Sequence, residues 1–160
     1  MTDAAQAPIT YHWEDLPVGR TLALGSITVD HDEVIAFARQ YDPQPFHLDD
    51  AAAARSMFGR LSASGWHTCA MAMGLMVRNF LQASSSLGSP GLEQIQWLKP
   101  VHPGDTLTLR YIITESRPMN SRPDVGLIRG LWEMFNQHGE QVLRMDGYGM
   151  FRRRHPGAAS

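Results

Sequence analysis

The chain has 160 residues, 43% of them apolar and 19% charged, with a formal charge of −2 at pH 7. That length suits one domain with a substantial core, and the near balance of charge excludes the basic footprint of a nucleic-acid binder. No apolar run approaches the roughly 20 residues of a membrane span, the start of the chain lacks the basic and apolar regions of a secretory signal, and the lone Cys69 cannot form an internal disulfide, so a soluble cytoplasmic protein is expected.

Small and polar residues at 1–10, and the short tail 155–160, are expected to be disordered around one domain spanning 11–154. From Gly19 to Val29 the apolar residues Leu22, Leu24, Ile27 and Val29 fit an edge strand. Asp30 followed by Glu33 is a capping-box-like start for a helix carrying Val34, Ile35, Phe37, Ala38 and Tyr41 at helical spacing. The prolines at 43 and 45 stop that helix and predict an ordered, non-helical loop through Asp49. A second short helix begins near Asp49 and Asp50, whose charges suit a helix N-terminus, and ends at Gly59. The third, Gly65 to Leu81, is apolar on nearly every face and is expected to be enclosed. Four strand-like runs follow, Leu92–Val101, Thr106–Glu115, Val125–Asn136 and Glu140–Phe151, separated by turn signals such as Pro103-Gly104-Asp105 and Asn136-Gln137-His138-Gly139. One enclosed helix with consecutive antiparallel strands predicts an α+β domain whose sheet wraps the helix.

The chemistry concentrates in Tyr41-Asp42-Pro43-Gln44-Pro45-Phe46-His47-Leu48-Asp49. Taken singly, Asp42 reads as a turn residue and His47 as a loop histidine. Held together by two prolines, a carboxylate and an imidazole can grip one water or one substrate proton. Gly65 opens the apolar helix, where N–H groups lack internal partners and the dipole is positive, so its amide suits a developing negative charge. Met71, Met73 and Met76 read first as core filler, although flexible thioethers would also suit an acyl pocket. Cys69 lies in an apolar helix, which argues against a nucleophile. The histidines show no zinc-like spacing, no glycine motif for nucleotides is present, and Arg152 to Arg154 read as a solvated charge run.

The Asp42 to Asp49 segment resembles the Asp-x-Asn-Pro-x-His-x-Asp signature of the MaoC-like, (R)-specific enoyl-CoA hydratase family, a branch of the hotdog fold. Gln44 stands where that signature has asparagine. Ser62-Ala63-Ser64-Gly65 is similar to the family's Ile-Ala-His-Gly, with Ser64 in the histidine position and Arg60 in a usually glycine-rich turn. Trp97 to Leu107 is similar to its strand–turn–strand segment, and the likeness runs from about Leu16 to Phe151. The resemblance implies a single hotdog domain and hydration of an acyl thioester. Asp42 and His47 would be catalytic, the Gly65 N–H would be the oxyanion donor, and Gln44, Ser64, Trp66 and Met71 would contact substrate. It also implies no dissociable cofactor or metal, a CoA or acyl-carrier-protein thioester as substrate, and a homodimer or dimer of dimers. A hotdog thioesterase and a non-catalytic acyl-thioester subunit are the alternatives. With Gln44 and Arg60 polarising the mouth, short or polar enoyl thioesters are the expected substrates.

Overall fold

The computed structural model describes residues 8–157; the expected disordered ends therefore lie, at 1–7 and 158–160, outside the described residues. Where the ends are described they are tied down, the Thr10 amide donating to the Ala83 carbonyl (2.7 Å) and the His155 amide to the Glu14 carboxylate (3.0 Å). Strand β1 (Thr21–Thr28) leads into helix α1 (His31–Tyr41), followed by two short helices, α2 (Pro45–Leu48) and α3 (Asp50–Ala54). The long helix α4 (Gly65–Asn79) precedes β2 (Ser86–Gly88), β3 (Leu92–Trp97), β4 (Thr106–Pro118), β5 (Val125–Phe135) and β6 (Gln141–Arg152). All the strands join one antiparallel sheet in the order β1-β4-β5-β6-β2, with β3 also paired to β6. This is the expected α+β hotdog arrangement, a sheet around a central helix.

The sheet's inner face follows from alternation in the sequence. Leu107, Leu109, Tyr111 and Ile113 on β4 are buried, and Met134, Val142 and Leu143 join them from β5 and β6. Burial of each large aliphatic side chain contributes about 1.5–3 kcal/mol. Helix α4 places Met71, Ala72, Leu75 and Met76 against this surface. Its start is fixed by Ser64, whose hydroxyl accepts from the Trp66 amide (3.3 Å). Helix α1 is capped as expected, the Asp30 side chain accepting from the Glu33 amide (3.0 Å).

Three expectations are corrected. The proline segment is helical for one turn, because Pro45 occupies the first helical position, where its missing N–H is not needed and its φ is already suitable. Helix α4 is not enclosed on every side within the single chain. The sheet covers one face, while Trp66, Met73 and Val77, at spacings of seven and four residues, stay exposed on another. The terminal arginines are not simply solvated: Arg153 is buried over the Trp13 ring (5.1 Å), and Arg154 pairs with Asp15 (2.8 Å). The same Trp13 ring lies where a Cβ on Gly126 would be, 2.1 Å from its Cγ, so β5 needs glycine at that point. No helix among the described residues is long and apolar enough to cross a membrane.

Candidate active site

Asp42 is the C-cap residue of α1, its amide donating to the Ala38 carbonyl (2.8 Å). Pro43 and Pro45 then hold the chain so that the Gln44 amide reaches the Asp42 carbonyl (2.8 Å) and the His47 amide reaches the Gln44 carbonyl (2.9 Å). These bonds put the His47 ring back over the carboxylate, with Nε2 3.5 Å from Asp42 Oδ2. The proline-held segment and the family resemblance propose the pair, and the backbone of this segment brings it together.

The other ring nitrogen fixes the chemistry of His47. Its Nδ1 lies 2.6 Å from the Ser62 carbonyl oxygen, which can only accept, so Nδ1 carries the hydrogen. The neutral ring then presents the bare Nε2 lone pair toward Asp42. Asp42 is in turn held by two donors, Ser64 Oγ to Oδ2 (2.7 Å) and Gln44 Nε2 to Oδ1 (2.7 Å). Burial by itself would raise the Asp42 pKa, but the hydrogen bonds from Ser64 and Gln44 outweigh it, joined by a positive charge on His47 whenever that ring is protonated, and keep the carboxyl below its ordinary value. Asp42 is therefore an ionised acceptor at neutral pH. Gln44 turns onto this carboxylate and lines neither cavity described below, and Arg60 also lies outside both, so neither narrows the mouth as expected from sequence.

Ser64 couples the pair to α4, since the hydroxyl that donates to Asp42 also accepts from the Trp66 amide. The Gly65 amide, one residue earlier, has no hydrogen-bond partner among the described residues and lies at the positive end of a 15-residue helix. Trp97, at the end of β3, packs its ring against this glycine and donates from Nε1 to the Gly65 carbonyl (2.9 Å). A Cβ on Gly65 would meet Trp97 Cε2 at 2.6 Å, so glycine is required for the ring to sit there.

Asp42, His47, Gly65, Trp66 and Trp97 line one cavity of about 420 Å³. A second cavity, of about 500 Å³, runs between the open face of α4 and the sheet and is walled by Met73, Met76, Tyr111, Trp132 and Phe151. Met71, expected to contact substrate, faces the sheet as core and lines neither cavity; Met73 and Met76 line the second. Sequence reasoning missed Trp97 and the Ser62 carbonyl. The first belonged to a recognised segment without a role, and the second is a backbone group that no side-chain pattern signals. Burial pushes the Cys69 thiol pKa up, which makes it a poorer nucleophile. No cluster of three or more His, Cys, Asp or Glu side chains able to hold a metal ion occurs among the described residues.

An α+β hotdog domain with an Asp–His pair at the N-terminus of its central helix defines a class, and comparison with known proteins agrees. The family model of the MaoC like domain matches residues 15–127. The chain belongs to the MaoC-like domain family. It is similar in structure to a MaoC-like dehydratase from Rhodospirillum rubrum, with a TM-score of 0.84, 37% identity, and coverage of 91% of this chain and 99% of that one. It is also similar to the (R)-hydratase from A. caviae involved in PHA biosynthesis (TM-score 0.69, 26% identity, 85% of this chain and 97% of that one). In sequence it is 25% identical over 130 residues to the uncharacterized protein YdeM of Bacillus subtilis (strain 168), covering 81% of this chain and 91% of the relative.

Proposed function

We infer that the protein is a hydro-lyase that adds water to, or removes it from, the Cα–Cβ bond of an enoyl thioester and 3-hydroxyacyl thioester pair. The observation that carries this reading is the convergence of two acceptors, Asp42 Oδ2 and His47 Nε2, 3.5 Å apart in the cavity that Gly65 also lines. One water can donate its two hydrogens to these two atoms, which leaves its oxygen lone pairs free to attack. With the thioester carbonyl accepting from the Gly65 amide, the oxygen adds to Cβ as the pair takes the water's proton. Charge then collects on the enolate oxygen beside the amide and the helix N-terminus, where a single such donor contributes about 3 kcal/mol. Protonation of Cα from the Asp42–His47 pair completes hydration and restores the pair. The two groups share the acid and base work as a coupled unit.

Family membership and the likeness to an (R)-hydratase support an R-configured hydroxy product, a CoA or acyl-carrier-protein thioester substrate and a dimer as the working assembly. The test is a spectroscopic assay of crotonyl-CoA with a thiol reagent present. Loss of enoyl absorbance without free thiol is expected. Thiol release would replace hydration by hydrolysis, and binding with neither signal would leave a carrier subunit.

A further inference from the structure

The geometry points to Trp66 as the residue that sets acyl length, as a movable wall between the catalytic cavity and the apolar cavity; this rests on the thioester site proposed above. Among the described residues, Trp66 is the one that lines both spaces, about 420 Å³ on one side and about 500 Å³ on the other. The residue is 56% exposed and does not belong to the core. An edge-to-face contact with Trp97 (5.1 Å between centroids, 80° between planes) is its ring packing, and its indole N–H makes no hydrogen bond among the described residues. Trp97 differs in both respects, because it is pinned through Nε1 to the Gly65 carbonyl and packed on the Gly65 Cα. One ring of the pair is therefore fixed and the other is free to turn, as exposed side chains do on the fast rotamer timescale.

Beyond Trp66 the path is laid out by helix periodicity. Cys69, Ala70 and Met73 follow it on the same side of α4 and line the apolar cavity. Seven residues at 1.5 Å rise each give a lane of roughly 10 Å from Trp66 to Met73. Flexible thioethers at Met73 and Met76 can adapt to a tail lying there. A four-carbon acyl group fits the catalytic cavity with Trp66 in place, whereas a longer tail reaches the apolar cavity only when the indole turns aside. The unmodified protein therefore favours short enoyl thioesters, and removing the indole joins the two spaces.

The test compares wild type, Trp66→Ala, and Trp66→Ala with Met73→Trp. Trp66→Ala is expected to raise the ratio of kcat/KM for dodecenoyl-CoA over crotonyl-CoA at least ~10-fold, the scale of hydrophobic tail discrimination. Calorimetric titration with decanoyl-CoA and butyryl-CoA, which needs no turnover, should show binding selectivity shifting by a similar factor. Met73→Trp refills the lane away from the catalytic groups and should reverse both gains. Unchanged ratios in Trp66→Ala, or a full gain persisting after Met73→Trp, would overturn the assignment. A shift in binding selectivity without turnover of any enoyl thioester would remove the hydro-lyase reading and leave Trp66 as the length filter. Intact hydration with unchanged ratios would do the opposite.

Discussion

A methyl group placed on Gly65 would lie 2.6 Å from Cε2 and 2.7 Å from Nε1 of Trp97, closer than real Cβ contacts come. The obstacle is a fused ring hydrogen-bonded to the Gly65 carbonyl, so relief requires either the indole or the first turn of α4 to move. Both movements disturb the amide proposed to stabilise the enolate. Loss of one comparable donor lowers turnover 10²–10³-fold, so Gly65→Ala is expected to reduce kcat for crotonyl-CoA hydration about 100-fold. Stability should respond little. Alanine in a helix gains up to about 1 kcal/mol over glycine, while loss of the Trp97 hydrogen bond costs about 0.5–1.5 kcal/mol. The net is within about 1 kcal/mol, a Tm change of no more than about 4 °C for a chain of this size. The informative assay is a double-mutant cycle in kcat with Trp97→Ala, which clears the space the methyl group needs. In that background the Gly65→Ala effect should shrink below about 10-fold. Wild-type kcat in Gly65→Ala, or an equal loss with and without Trp97, would refute the reasoning.

Asp42→Asn and His47→Ala are each expected to lower hydration at least ~100-fold while circular dichroism and Tm stay near wild type, and turnover near wild type in either would remove the mechanism. Ser64→Ala deletes a donor that keeps the Asp42 pKa below its ordinary value. The acid limb of the pH–rate profile should then move to higher pH, and an unmoved limb would show that Asp42 does not govern it. Burial lowers the pKa of His67, which stacks on Phe37 of α1 (4.7 Å, 9°) and whose Nδ1 has no hydrogen-bond partner among the described residues. A histidine that is harder to protonate folded than unfolded loses stability as pH falls from about 6.5 toward its folded value. His67→Gln should therefore flatten the decline in Tm between pH 7.5 and 5.5, and an unchanged slope would show that His67 does not titrate in that window.

The alternating apolar residues from Leu22 to Val29, the Asp30–Glu33 cap and the turn signals at Pro103–Asp105 and Asn136–Gly139 made the strands, α1 and the α+β class legible in the amino-acid order, because these signals are local. Two prolines and a helix start made Asp42, His47 and Gly65 candidates by local signals, and the family resemblance gave them their expected roles. Local signals failed at Pro45, where a helix breaker in mid-helix is a helix starter at the first position, and only the neighbouring backbone tells which applies. In α4 the sequence is apolar all round, so its periodicity carries no direction. Docking against the sheet decided that Met71 is core while Trp66 and Met73 face open cavities. The Ser62 carbonyl that sets the His47 tautomer and the Trp97 ring seated on Gly65 come from 15 and 32 residues away. Hydrophobic patterning records which side chains avoid water but not which neighbour covers them, and that choice belongs to the tertiary structure.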